Sequence, residues 1–406
     1  MNIRTLAVAT AWLVVCPQTF AQGNTPPSSA NPDISLILDG RFSQYDNDPD
    51  DYELPGMPLG GEAGLGEEGF ALGESELVIS ANIDNLFFGR MTAALHDEGG
   101  ETELELEEAF FETLALGGGF TLRGGRFFSG TGYLNEQHKH RWDFADAPLI
   151  YRGLFGDQLI DDGLQLRWVA PTALFLQLGG ELGRGERFPA GGAANDGRGT
   201  YALFVNIGAD LGDSHSWRLG LSRWSADVED RQNGGHGHGE EEAIEEIPSF
   251  TGDSDITGIN AVWKWAPRGN PTRRNLIMQF EYFQRDEDGD VVLLGADPEE
   301  RTGYDGDQKG WYAQAVYQFM PQWRVGLRYD TLDIDNQGSD GEVLEEAGLD
   351  NEDHTPKRSS VMVEWSHTEF SRIRLQYNQD DAYEDSDRQL ILQYTMSLGA
   401  HGAHRF

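Results

Sequence analysis

Over most of the chain, apolar and polar residues alternate one for one in segments of about ten. Gly, Pro, Asn and Asp clusters separate the segments. From Gln389 to Leu398, residues Leu390, Leu392, Tyr394, Met396 and Leu398 share one face, and Gln389, Gln393, Thr395 and Ser397 the other. Val325, Leu327 and Tyr329 oppose Arg324, Gly326, Arg328 and Asp330, and Trp311, Ala313, Ala315, Tyr317 and Phe319 make another apolar row. A period of two is the signature of a strand. The pattern predicts strands over 33–42, 73–84, 86–96, 103–115, 118–127, 161–169, 172–183 and 199–211. Eight more follow over 214–226, 254–266, 273–285, 307–320, 322–333, 357–369, 370–380 and 386–398.

A soluble sandwich would turn its apolar rows to a core. Here the polar row of nearly every segment needs water as well, which a wide lumen supplies while the apolar rows face lipid. About ten residues per tilted strand cross the hydrocarbon. The expected fold is therefore all-β, a sixteen-stranded antiparallel transmembrane β-barrel.

The connections alternate in length. Short ones include Asp84-Asn85, Gly117-Gly118-Gly119, Ala170-Pro171, Gly212-Asp213-Ser214 and Pro321-Gln322, whereas 43–72, 128–160, 184–198, 227–253, 286–306 and 334–356 are long. Short periplasmic turns and long outer loops are the asymmetry of bacterial outer-membrane barrels, and an even strand number puts both termini on the periplasmic side. Charge follows the same division. Acids and bases number 8 and 0 in 43–69, 9 and 1 in 227–253, 8 and 1 in 286–306, and 8 and 0 in 334–356, which is 31 of the 39 net negative charges. The acidity belongs to the outer loops. So strong a negative charge also argues against nucleic acid as a partner, since phosphates are repelled.

At the start, Arg4, the apolar stretch Leu6 to Cys16 and Thr19-Phe20-Ala21 form a secretory signal peptide over 1–21. The apolar run is too short for a membrane anchor. Lipidation at Cys16 is disfavoured by the bulk of Val15 before it. Cys16 is the only cysteine of the chain, so the mature barrel uses no thiol chemistry. Residues 22–32 make a short periplasmic segment, and 33–406 the barrel.

The final residue, Phe406, shares the parity of the last apolar row, which resembles the signal that barrel-assembly machinery reads on outer-membrane proteins. The mature chain resembles the sixteen-stranded porins, with similarity to the phosphate-selective porin O and P type. Arg123-Gly124-Gly125-Arg126-Phe127 and Asp161-Asp162-Gly163-Leu164-Gln165-Leu166-Arg167-Trp168 carry it. The resemblance implies a passive channel, a homotrimer, and a third outer loop folded inward to narrow the pore. That family's phosphate channels use a constriction rich in Lys and Arg, whereas this chain has only 30 of the two together.

The loop in that position, 128–160, is rich in large side chains and not strongly acidic. It offers His138, Lys139, His140, Arg141, Asp143 and Arg152 as constriction residues. The polar faces of the strands offer Arg41, Arg90, Arg123, Arg167, Arg218, Arg324, Arg328, Arg372 and Arg374 as pore-lining cations. Glu281 and Glu364 face them, with Asp39, Glu76, Glu112 and Asp330 of like parity. A lipid-facing arginine would cost about 2–4 kcal/mol at the midplane, which places them inward. Opposed rows of charge set a field across a pore, and they also brace neighbouring strands.

His236-Gly237-His238-Gly239-Glu240-Glu241-Glu242 has the composition of a transition-metal chelator, with His236, His238, Glu240 and Glu241 as ligands for zinc. His401 and His404 form a second, periplasmic pair. Asp286, Asp288 and Asp290 resemble the opening of a calcium loop, with Asp297 where a bidentate Glu belongs. No cofactor is required, and loop-bound Zn or Ca is the metal expectation. No nucleophile elbow appears, so an enzyme is not expected. The sequence thus points to passive diffusion of small ions or polar solutes, linked to zinc uptake. The alternative is a barrel-anchored surface binding or adhesion protein whose acidic loops take divalent cations. Outer-membrane lipid and lipopolysaccharide are the expected surroundings.

Overall fold

The structure, a computed structural model, describes residues 32–57, 64–98, 101–191, 199–232, 247–296, 300–351, 354–382 and 386–399. The leader, Phe406, the His236–Glu241 candidates and the His401–His404 pair lie outside the described residues.

The alternating segments form β1 (Asp33–Gln44), β2 (Gly69–Leu72), β3 (Ser75–Asn82), β4 (Phe87–Glu98), β5 (Glu101–Thr113) and β6 (Phe120–Phe128). Then come β7 (Ile160–Val169), β8 (Phe175–Gly183), β9 (Thr200–Leu211), β10 (His215–Gln232), β11 (Ile247–Trp265) and β12 (Asn275–Leu294). The last are β13 (Glu300–Met320), β14 (Trp323–Gly338), β15 (Lys357–Thr368), β16 (Ser371–Asp381) and β17 (Asp387–Gly399). Each pairs antiparallel with its sequence neighbour, and β17 closes the ring on β1, from Ser35↔Gly399 to Gln44↔Leu390. Strands β2 and β3 both pair with β1 and form a single stave, so the barrel has sixteen. Closure leaves no sheet edge exposed to lipid, as the bilayer demands of any strand-built span.

The outward rows are apolar: Leu164 and Leu166, Leu219 and Leu221, Val361 and Val363, Leu390 to Leu398 are all exposed. Aromatic rings border this band. Near the short turns Trp323 stacks on Trp365 with centroids 6.2 Å apart, and His215 on Trp263 at 5.5 Å. Towards the outer side Trp311 meets Tyr329 at 5.5 Å and Phe280 at 6.0 Å. Such amphipathic rings suit the two interfaces of a membrane.

Three expectations from the sequence are corrected. Strands β10 to β14 run 16–21 residues, well past the lipid band, so strand takes up most of the expected loop 286–306 and extends into the other two over 227–232, 247–253 and 334–338. Asp286, Asp288 and Asp290 lie on the outward face of β12, paired with Asp255, Asp253 and Thr251 of β11. An extended strand cannot wrap a cation as a calcium loop does, so that motif is a coincidence of composition.

The third correction concerns the lumen. Its outer half holds an apolar core. Tyr52, Leu54 and Met57 come from the first loop, Leu149 to Phe155 from the third, and Val343, Leu344 and Leu349 from the seventh. They pack on Ile256, Phe283, Val291, Leu293 and Leu332 of the wall. Because β11 to β14 rise past the membrane, their inward faces need covering, and the loops cover them with side chains instead of water.

Candidate functional site

The third loop, 129–159, leaves β6 and folds into the lumen. It contains a 3-10 turn over Lys139–Arg141 and one short α-helix, α1 (Leu149–Phe155), whose residues are all buried and which ends at Gly156 in the left-handed conformation. Asn135 draws the loop together. Its amide donates to the carbonyls of Ser129 and Leu159 at 2.8 and 2.9 Å, and its oxygen accepts from Leu159 N at 2.7 Å. Gly132, at φ 83°, passes so close to Tyr151 that an added Cβ would stand 2.5 Å from its hydroxyl.

Charged wall residues then anchor it. Glu281, fully buried on β12, accepts from Tyr133 N at 2.6 Å, Leu134 N at 3.0 Å, Tyr312 Oη at 2.5 Å and Tyr151 Oη at 3.1 Å. On β7 and β8, Gln165 donates to Glu181, which also accepts from Ser129 Oγ and Gly130 N. Opposite, Asp146 receives Arg328 at 2.7 Å, Gln376 at 2.6 Å and Asn378 at 2.9 Å, with Arg358 at 3.2 Å. Burial alone would push the Asp146 carboxyl up, but Arg328, Arg358 and Arg152 outweigh it and hold this carboxyl well below the usual range. Asp143 pairs with Arg324 at 2.7 Å, and Arg374 donates to the carbonyl of Trp142 at 2.7 Å. Arg372 donates to the carbonyl of His140.

The side of the loop towards β3 to β5 is different. His138, His140 and Lys139 face Glu74, Glu76, Glu107 and Glu108. Lys139 Nζ lies 2.9 Å from Glu74, His140 Nδ1 2.5 Å from Glu76, and His138 Nε2 3.0 Å from Glu108. Two irregularities gather these carboxylates. The register of β1 slips by one residue between Leu72 and Glu76 of its partner stave, and in β5 Glu107 is the extra residue between Leu106 and Glu108. A bulge of this kind re-aims a side chain, here turning both Glu107 and Glu108 inward.

On the short-turn side of the loop lies a cavity of about 780 Å³ whose lining includes Tyr133, His140, Arg141, Asp143, Lys264, Arg324, Glu364 and Arg372. Both signs of charge face it, so it suits polar or ionic solutes and water.

The expected site residues divide accordingly. All the pore-lining candidates point inward. Arg324, Arg372 and Glu364 reach the cavity, while Arg123 and Arg167 share Glu112, at 2.8 and 2.9 Å. Arg218 stands over Tyr133, Arg41 pairs with Asp39 at 3.2 Å, and Arg90 lies 3.6 Å from Glu108. Arg328, Arg374 and Glu281 are corrected. They lie buried beneath the loop as its anchors, not at a wetted wall. Of the constriction candidates, His140, Arg141 and Asp143 line the cavity and Lys139 is tied to Glu74. His138 and Arg152 are buried, Arg152 with its guanidinium 5.3 Å from the Tyr52 ring. The sequence reading missed Glu74, Glu107, Glu108, Glu181 and Arg358. The doubled acid Glu107-Glu108 inside an alternating strand was the available sign of a bulge.

The closed barrel and its folded-in third loop define an outer-membrane β-barrel of porin architecture. No family model matches the sequence. The chain is 32% identical over 403 residues to an uncharacterized protein of Aquifex aeolicus (strain VF5), covering 92% of this chain and 80% of that one, and it belongs to that protein's family. Among solved structures it is similar to the trimer form of OmpT, an outer membrane protein of Vibrio cholerae. The TM-score is 0.53, with 10% identity over 91% of this chain and 99% of that one. It is likewise similar to the anion-selective porin from Comamonas acidovorans, with TM-score 0.50, 11% identity, and 91% and 99% covered. OprB of Pseudomonas putida aligns with TM-score 0.50 and 12% identity, covering 91% and 94%. These likenesses are of fold.

Proposed function

We propose that this protein is a passive channel for small ions or polar solutes. The observation that carries the reading is the third loop, drawn across the lumen and fastened to opposite walls, with a cavity of mixed charge beneath it. A loop held at so many points sets a fixed aperture, and facing cations and anions favour small polar solutes.

The apolar packing of the outer half argues for a narrow path and a small conductance. The cavity lining, with Arg141, Lys264, Arg324 and Arg372 against Asp143 and Glu364, does not repeat the acidity of the outer surface. Selectivity is therefore set below the mouth, and weak overall. Zinc as cargo, suggested by His236 and His238, draws no support from the described residues. A trimer accords with the trimeric form of the similar Vibrio cholerae protein.

Single-channel recording in planar bilayers tests the proposal. Discrete small conductance steps, with a reversal potential near zero in a salt gradient, are the expected result. A barrel that inserts without conducting overturns it and favours an anchor for surface binding.

A further inference from the structure

Glu76 of β3, Glu107 of β5 and His138 of the third loop bring three donor atoms to one point. His138 Nδ1 lies 3.3 Å from Glu76 Oε2 and 3.4 Å from Glu107 Oε2, and the three atoms all fall within 4.8 Å of one another. The residues are 0%, 3% and 7% exposed, and none of the three atoms makes a hydrogen bond of acceptable geometry. On its other edge His138 is oriented by Glu108, at 3.0 Å from Nε2. With the ring proton on Nε2, the Nδ1 lone pair faces two carboxylate oxygens. Three electron-rich atoms in a dry pocket repel unless a cation sits among them.

We propose that Glu76, Glu107 and His138 bind a divalent transition metal, zinc by choice of ligands, which staples the third loop to the barrel wall. Zinc takes His nitrogen and Glu oxygen at about 2.0–2.2 Å in a tetrahedron, whose edges are then about 3.3–3.6 Å. The two measured edges at His138 Nδ1 match. The fourth position falls to water. Glu108 supplies the carboxylate that metal-bound histidines commonly hold on the remote ring nitrogen. The site is built rather than incidental, since Glu107 reaches it only through the β5 bulge. The occupant that competes is a proton, making His138 an imidazolium shared among the acids.

This inference does not depend on conduction. The test is zinc content and affinity of the detergent-folded full chain, refolded with and without zinc chloride, in a background carrying His236→Ala, His238→Ala, His401→Ala and His404→Ala so that those two histidine pairs do not contribute. About one zinc per chain is expected. Glu107→Gln, which keeps the shape, should abolish it, and Glu108→Gln should weaken it by about 10–100-fold. Cobalt in place of zinc should give the visible absorption of a tetrahedral site in the parent and not in Glu107→Gln. Folding of each variant is checked by its gel mobility before heating. A folded parent that holds no zinc, or zinc retained undiminished in both Glu107→Gln and His138→Ala, overturns the proposal and leaves the proton as occupant.

Discussion

Asp146, in the middle of the third loop, accepts a hydrogen bond at 2.7 Å from Arg328, which lies 182 residues further along the chain. The contact joins the loop to a wall strand that is nowhere near it in sequence. Both groups are almost wholly buried, and Arg358 shares the same carboxylate at 3.2 Å.

Replacing Asp146 with Asn leaves two buried guanidinium groups short of a counter-charge. Loss of one partner from such a pair costs about 3–5 kcal/mol. The expected result is a lower temperature for the heat-induced mobility shift on gels, together with larger and noisier conductance steps as the loop detaches. Unaltered conductance would show that the loop is held elsewhere.

The same carboxylate sets a pH response. Its folded pKa lies well below its unfolded value of about 4, so the stabilisation it gives is complete above that value and is lost as pH falls through the lower, folded one. Conductance should therefore stay constant from pH 7 to about 4 and increase only in stronger acid. An increase already at about pH 5 would point to other carboxylates as the fastening.

Glu281 collects two backbone N–H groups and two tyrosine hydroxyls at one carboxylate. In Glu281→Gln an amide N–H₂ faces donors, leaving at least one buried group unmatched at about 1–3 kcal/mol. Limited trypsin digestion should then cut after Lys139 or Arg141, bonds protected in the parent. Mass spectrometry of the fragments reads the outcome.

On the outside, carboxylates stand directly opposite one another in two cross-strand rows. Asp227, Asp253, Asp288 and Asp305 form one, and Asp255, Asp286, Asp307 and Asp335 the other. Like charges so placed destabilise a sheet, although Arg223 and Lys309 relieve the second row in part. Asp288→Asn should raise the unfolding midpoint, by up to about 1 kcal/mol, and added salt should shrink the gain. A midpoint that falls would mean that the rows are held by bonds the substitution breaks.

Much of the barrel was legible because the bilayer imposes a rule readable one residue at a time. Each residue of a span faces either lipid or the interior, so the alternation of Leu390, Leu392 and Tyr394 with Gln389 and Gln393 marks a strand and its orientation together. The even count and the short turns at Pro321-Gln322 and Ala170-Pro171 followed from the same pattern. It failed where the rule does not act. Above the membrane both faces of β12 are free of lipid, so Asp286 to Asp290 read as a loop. In β5 a bulge breaks the parity, and Glu107 was lost from view.

By itself, then, the sequence determined the strand number and the direction of most side chains in the wall, while the inward-folding loop came from the resemblance to porins, with a composition that suits packing against a wall. Only the tertiary structure decided which inward charges meet water and which are sealed. Arg324 and Arg328 occupy the same face of one strand four residues apart, yet one reaches the cavity and the other lies under Asp146. Strand alternation fixes the direction in which a side chain leaves the backbone. What lies in that direction depends on how a loop distant in sequence packs, and that is settled by the closure of the whole ring.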